Sequence, residues 1–118
     1  MIGYKDPIPP VRKLLDDYME PRIYGNTFPT TTTLPAVLVK SAGGVNFSRI
    51  QLVARATNDL DAMQLCIQCM NLLLQRFDEI RGLRVIWMEA ESNPIPSFDD
   101  DTGRPEAWCY LRMENIEA

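Results

Sequence analysis

The stretch Phe47-Ser-Arg-Ile-Gln-Leu-Val-Ala-Arg-Ala-Thr57 decides the fold, because the chain changes its structural period where this stretch ends. Ile50, Leu52, Ala54 and Ala56 alternate with a second set of residues that is mostly polar. An alternation of period two is typical of a strand with one face in the core and one face toward water. The stretch therefore predicts a half-buried strand.

A long helix is predicted directly after this strand. Asn58 or Asp59 is suited to the N-cap, and Asp61 lies in the first turn, where the helix dipole favours negative charge. The helix is expected from about Leu60 to Phe77. Its expected apolar stripe consists of Met63, Ile67, Met70, Leu74 and Phe77, widened by Cys66, Cys69, Leu72 and Leu73. Because this apolar surface is wider than one seam, the helix is predicted to be the central core element.

Two β-hairpins are predicted on either side of the long helix. The β-rich run 36–40 is expected to pair with the 47–57 strand across a loop with two glycines. The runs 83–89 and 107–113 are expected to form the second hairpin, with the proline-rich acidic segment from Asn93 to Pro105 as a loop between them.

A short amphipathic helix is predicted before the first hairpin. Its apolar residues recur at helical spacing between Val11 and Glu20, after prolines that the first helical turn tolerates, and Pro21 is expected to end it. The run 22–25 is compatible with either a brief strand or an extended connection, and 26–35 with a loop that has extended edges. The whole order predicts an α+β fold in one domain, residues 1–118. Its mostly antiparallel sheet of about four to five strands has the N-terminal helix and the long central helix on one face.

The composition of the chain limits the classes of function that it can have. The chain has 118 residues, of which 46% are hydrophobic and 24% charged, and a formal net charge of −4. These values are typical of a globular protein and argue against nucleic acid as the main partner. No stretch approaches the roughly 18 apolar residues of a membrane span, and the N-terminus lacks a signal-peptide core, so synthesis in the cytosol without export is expected.

The sequence offers little for catalysis or metal binding. It has no histidine, which removes the commonest general base and metal ligand, and it shows no phosphate-binding glycine loop. Cys66 and Cys69 form a C-x-x-C in mid-helix, where they are expected to be buried small hydrophobes. The odd number of cysteines, three, argues against a disulfide framework. We therefore expect no catalytic, cofactor-binding or metal-binding residue.

Three adjacent carboxylates, Asp99, Asp100 and Asp101, superficially resemble a calcium loop. Counted from Asp99, an EF-hand would need Gly at position six and Glu at position twelve, where this chain has Arg104 and Tyr110. A solvated loop is the simpler interpretation, with an oligomer or partner contact as the alternative.

Charge is distributed unevenly along the chain. Residues 21–57 carry +4 and residues 89–118 carry −6, while the segments 1–20 and 58–88 contribute −1 each. Ordinary surface charge explains this, but two complementary faces that meet between copies in a ring would explain it as well. On the second interpretation Arg49 and Arg55 face an acidic neighbour. Trp87 and Trp108 on predicted strands are either core residues or interface anchors.

The chain resembles the tail terminator and tail completion proteins of long-tailed bacteriophages. The resemblance lies in the short helix before Pro21, the run Leu34-Pro-Ala-Val-Leu-Val39 and Arg49-Ile-Gln-Leu-Val-Ala-Arg-Ala-Thr-Asn-Asp59 before the long helix. It continues through Asn93-Pro-Ile-Pro-Ser-Phe-Asp-Asp-Asp-Thr-Gly-Arg-Pro105 into the closing strand. It covers nearly the whole chain in order and length, but this family has no short diagnostic signature.

The resemblance implies a structural virion protein at the tail–head junction, assembled in the host cytoplasm. Such a protein forms a ring, typically hexameric, that caps the tail tube and docks to the head connector. DNA passes through its lumen without specific binding, and no membrane is involved. The candidate interface residues are Arg49, Arg55, Asp99, Asp100, Asp101 and Trp108. The alternatives are a small cytosolic adaptor that binds one protein, and an enzyme of unknown chemistry.

Overall fold

The structure, a computed structural model, describes residues 4–116, which form two α-helices and a six-stranded sheet. In chain order the elements are α1 (Ile8–Tyr18), β1 (Arg22–Gly25), β2 (Ala36–Ser41), β3 (Ser48–Arg55), α2 (Asp59–Arg76), a 3-10 turn (Phe77–Glu79), β4 (Arg84–Ala90), β5 (Ile95–Phe98) and β6 (Pro105–Ile116). The predicted α+β class, with two helices and a sheet that contains two hairpins, is confirmed.

The strand order is β1-β2-β3-β6-β4, and β5 pairs with β6 beside β4. β2 with β3, β3 with β6, β4 with β6 and β5 with β6 are antiparallel, whereas β1 with β2 is parallel. Both predicted hairpins are confirmed. The twelve-residue β6 is long enough to pair with β3 along one side and with β4 and β5 along the other.

Both helices cover the same face of the sheet. In one row across the sheet, Gly25, Val39, Leu52 and Cys109 are paired neighbours on that face. A Cβ at Gly25 would lie 3.0 Å from Ile8 of α1, and Cys109 lies 3.9 Å, sulfur to sulfur, from Cys66 of α2. The buried residues of the helices and strands form one continuous core, which α1 closes over β1 and β2 and α2 over β3 and β6.

The helix bounds differ slightly from those expected. α1 begins at Ile8, before the expected Val11, because prolines are tolerated in its first turn, and it ends at Tyr18, ahead of Pro21. α2 runs from Asp59 to Arg76 with Asn58 as its N-cap, since the Asn58 side chain accepts a hydrogen bond from the Asp61 N–H at 2.8 Å. The predicted N-cap is therefore confirmed.

The predicted count of four to five strands is wrong, because the sheet has six. The run 22–25 is a strand, and it pairs in parallel with β2 after the 26–35 connection returns the chain to the same end of the sheet. The segment expected to be a loop, Asn93–Pro105, contains β5. Pro96 is compatible with β5 because this short strand pairs only with β6, so its other side needs no N–H donor.

Candidate interaction surface

The sheet face opposite the helices carries most of the charged strand residues. We call it the open face; strand alternation and register assign to it Tyr24, Leu38, Lys40, Arg49, Gln51, Val53, Arg55, Glu106, Trp108, Tyr110 and Arg112. Four of the six candidate interface residues lie on it or contact it, namely Arg49, Arg55, Trp108 and Asp99.

Arg55 is held by three groups on the open face. Its Nε and Nη2 lie 2.8 and 2.7 Å from Glu106 Oε2, and its Nη2 lies 3.6 Å from Asp99 Oδ1. Its guanidinium carbon lies 4.2 Å from the centre of the Phe28 ring, a cation–π distance. The Arg55 side chain is 13% exposed and that of Glu106 14%, so this ion pair is screened by water much less than a surface pair.

Arg49 and Arg112 form a second charged group around Phe47. Arg49 donates two hydrogen bonds to the two oxygens of Glu91, at 2.6 and 3.3 Å, and Arg112 donates to Glu114 at 3.0 Å. The Phe47 ring lies 3.9 Å from the guanidinium carbon of Arg112 and 5.5 Å from that of Arg49. The hydrogen bond from Arg49 lowers the pKa of the Glu91 carboxyl below its ordinary value.

The two oppositely charged segments of the sequence therefore meet inside one chain. β3 carries Arg49 and Arg55 of the positive segment, and it lies beside β6 and the 91–99 region, which carry their carboxylate partners from the negative segment. Arg49 and Arg55 thus have carboxylate partners in the monomer. That they also face an acidic neighbour across a ring interface stays a prediction.

Asp99 orders the turn between β5 and β6. Its carboxylate accepts hydrogen bonds from the N–H and the hydroxyl of Thr102, at 2.8 and 2.7 Å, and its carbonyl oxygen accepts from the Gly103 N–H at 2.7 Å. The bonds from Thr102 lower the pKa of Asp99. Asp100 and Asp101 are exposed at the tip of the same turn. Within residues 4–116, no group of three or more Asp, Glu, Cys or His side chains is placed to hold a metal ion.

A shallow groove lies at one end of the open face. Its volume is about 620 Å³, and Lys40, Arg49, Gln51, Glu91 and Tyr110 are among its lining residues. Two cations and one carboxylate line it, and Arg49 and Glu91 already bind each other. The groove therefore offers charged and hydrogen-bonding groups to water or to a polar partner.

The two tryptophans differ in position. Trp108 is half-buried on the open face, in edge-to-face contact with Tyr110 at 5.4 Å between ring centres. Trp87 on β4 is 51% exposed, contacts Phe77 at 6.4 Å and follows Ile86, which is 52% exposed and stands at a β-bulge. Exposed apolar side chains of this size on a strand are the kind that interfaces bury.

The three cysteines, Cys66, Cys69 and Cys109, are free and buried, as predicted for the C-x-x-C pair. Burial raises the pKa of the Cys69 thiol to about 12, and the hydrogen bond with Cys109, together with burial, raises the pKa of Cys66. Cys66 and Cys69 are therefore poor nucleophiles in the folded protein, and Cys109 is buried beside them.

No protein-family model matches the chain, and comparison with the curated proteins gives no match. No helix in the described part of the chain is long and apolar enough to cross a membrane.

Proposed function

We propose that this chain is a structural subunit of a bacteriophage tail, a tail terminator or head–tail joining protein that assembles into a ring. The observation that supports the proposal is the arrangement of the elements: an α-β-β-β-α-β-β-β order in which both helices cover one face of a sheet and leave the other face open. The family that the sequence resembles is expected to have a sheet flanked by helices, and this arrangement is compatible with that expectation.

The surface of the molecule fits an assembly role. The open face carries ion pairs, and Arg49, Arg55 and Arg112 on it contact carboxylates and phenylalanine rings. Preorganised charged groups give register and specificity to a protein contact more than they give affinity. The proposed partners are further copies of this chain, the tail tube protein and the head connector protein.

The proposed ring is hexameric and lies at the tail–head junction of the virion after assembly in the host cytoplasm. DNA passes through its lumen without specific binding. The net charge of −4 suits that passage, because an acidic wall repels phosphate. Asp100 and Asp101, exposed at the tip of the β5–β6 turn, are the candidates for a contact at the ring surface.

The mass in solution tests the proposal first. Light scattering after gel filtration, from dilute to concentrated samples, is expected to give a concentration-dependent species of about six copies, with rings in negative-stain images. Added to polymerising tail tube protein of the same virus, the ring is expected to stop tube growth. Tubes of unchanged length, or a strict monomer in the presence of tubes, would contradict the proposal and favour the adaptor.

A further inference from the structure

The sheet ends in two different free edges. β1 forms one end of the strand order and β4 the other, and neither has a strand on its outer side among residues 4–116. The pairings across the sheet give the direction of every strand relative to β1. The strands β2 and β6 run parallel to β1, and β3 and β4 run antiparallel to it. A β4 strand and the β1 strand of the next copy, placed side by side in one continued sheet, would therefore be antiparallel.

The backbone groups of the two edges match. Asn26 donates its N–H to Val39 at 2.8 Å, and Glu91 donates its N–H to Tyr110 at 2.9 Å. Since successive residues of a strand direct their N–H and C=O groups to opposite sides, the groups of Ile23 point away from β2 and those of Met88 away from β6. Ile23 of one copy and Met88 of another could thus exchange two backbone hydrogen bonds.

The side chains match in the same register. Ile23 and Met88 both lie on the helix-covered face, where they are 2% and 3% exposed. With these two residues opposite each other, Tyr24 falls opposite Trp87, and Arg22 falls opposite Glu89. Arg22 and Glu89 are exposed and have no ion-pair partner in the described part of the chain, unlike Arg49, Arg55 and Arg112.

We propose that β4 of one copy pairs antiparallel with β1 of the next, in the register Ile23 to Met88, with Arg22 and Glu89 as the ion pair across the contact. The contact is heterologous, because it uses two different edges, so repetition gives a closed ring or an open filament. It also buries Ile86 and Trp87, which are about half exposed in the single chain. This inference rests on the ring-forming function proposed above and specifies its interface.

Charge reversal tests the register. Arg22→Glu and Glu89→Arg each place like charges in contact and are expected to weaken self-association about tenfold or more. The double variant Arg22→Glu/Glu89→Arg restores opposite charges and is expected to assemble like the wild type. Arg104→Glu in the β5–β6 turn and Asp16→Arg on α1, which make the same changes of charge at exposed positions away from both edges, are the matched controls.

Mixing the two single variants gives the sharpest result. Each variant alone presents two like-charged edges, but together the two can alternate around the assembly. At one contact the new carboxylate at position 22 then meets the new guanidinium at position 89, and at the next contact Arg22 meets Glu89. Light scattering of the mixture is expected to recover the large species that neither variant forms at the same total concentration. Circular dichroism of each variant verifies that it is folded.

The outcomes separate this inference from the proposed function. The edge pairing would be overturned if the two single variants and the double variant all form rings like the wild type. It would also be overturned if neither the double variant nor mixing restores assembly lost in the single variants. In both cases the proposed ring would remain. A wild-type chain that forms no ring, with or without tail tubes, would contradict the proposed function. Rings lost in the single variants and recovered by mixing would support both.

Discussion

At the scale of single residues, Arg55 is the most enclosed arginine of the open face. Replacement by methionine keeps much of the side-chain volume but leaves Glu106 and Asp99 without their cation. Removing one partner of a fully buried pair costs about 3–5 kcal/mol. Because Arg55 and Glu106 are 13% and 14% exposed, we expect Arg55→Met to lower the free energy of unfolding by about 2 kcal/mol.

Urea denaturation followed by circular dichroism measures this loss. The control is Arg12→Met, which removes an exposed ion pair with Asp16 on one turn of α1 and is expected to cost less than about 0.5 kcal/mol. Equal losses in the two variants would mean that the Arg55 cluster contributes no more than a surface pair. This control also matters for assembly, since an Arg55 variant can lose its ring by losing stability.

Two glycines lie between β2 and β3, and Gly44 has less room for a side chain than Gly43. Its φ is +109°, and a Cβ there would lie 2.5 Å from the carbonyl oxygen of Phe47. Gly43 has a φ of +88° but nothing within 4 Å of its Cβ position. We expect Gly43→Ala to cost about 1 kcal/mol from backbone strain, and Gly44→Ala at least about 1 kcal/mol more.

The measurement is again the midpoint of urea unfolding for both variants. The additional loss at Gly44 comes from displacing the backbone beside Phe47, whose ring lies against Arg49 and Arg112. A Gly44→Ala variant as stable as Gly43→Ala would show that the turn can shift without cost.

The contacts of individual arginines could not be predicted from the sequence. The uneven charge of the chain suggests an acidic neighbouring copy as the partner of Arg49 and Arg55, but it does not reveal their carboxylate partners within the monomer. Phe28 lies against Arg55, and Phe47 lies against Arg112 and Arg49. Neither phenylalanine stands out in the sequence as more than an aromatic residue beside a loop. Such contacts depend on strand pairing, which no local pattern determines.

At the scale of elements, α2 faces the sheet with smaller residues than expected. Its buried residues are Ala62, Leu65, Cys66, Cys69, Met70 and Leu73, whereas Met63, Ile67 and Leu74 of the expected stripe are only partly buried. When a helix is apolar over much of its surface, its sequence pattern does not determine which side faces the sheet. Small side chains then let it approach β6, which brings Cys66 to Cys109.

The enclosed thiols give a prediction for α2. A small thiol reagent at neutral pH is expected to label Cys66, Cys69 and Cys109 only at the rate at which the protein opens, because all three are buried and the pKa of Cys69 is raised to about 12. Mass spectrometry of the intact protein counts the labels. Ser97→Cys, which places a thiol at an exposed position of β5, is the positive control.

Rapid labelling of Cys66 and Cys69 in the native protein would contradict a structural role for the pair. Labelling of all three in urea, at the rate of the positive control, is the expected result for the unfolded chain.

Elements with a strong pattern of their own were predictable. β3 has its alternation, α2 its cap and length, and the two hairpins their turns. β1 and β5 are four residues long, too short for a pattern, and the prolines in and beside β5 favour a loop. Both become strands because a longer neighbour offers backbone groups to pair with, which is a tertiary effect.

At the scale of the whole molecule, stability is expected to fall in acid. Hydrogen bonds lower the pKa of Glu79, Glu91 and Asp99 in the folded state, from Tyr18, Arg49 and Thr102 respectively. In the unfolded chain these carboxyls titrate at their ordinary values, near about 4. As the pH falls through the unfolded pKa values, the unfolded state binds protons before the folded state does. The stabilisation that these carboxylates give at higher pH is therefore lost progressively, until the pH is below the folded pKa values.

Urea midpoints at pH 7, 5, 4 and 3 measure this dependence. The variant Glu79→Gln/Glu91→Gln/Asp99→Asn is expected to be less stable than the wild type at pH 7 and to lose less stability between pH 5 and pH 3. A triple variant with the wild-type slope would assign the acid sensitivity to other groups.

The position of β6 has a consequence for how the protein is made. The last strand in the sequence is inserted between β3 and β4, near the middle of the sheet. On a ribosome, β3 therefore keeps one edge unpaired, and α2 has no complete sheet to cover, until residues 105–113 have been synthesised. Folding of this domain is in this sense postponed until β6 has been synthesised, and a nascent chain stalled before β6 exposes an apolar helix and an unpaired strand to chaperones and to its neighbours.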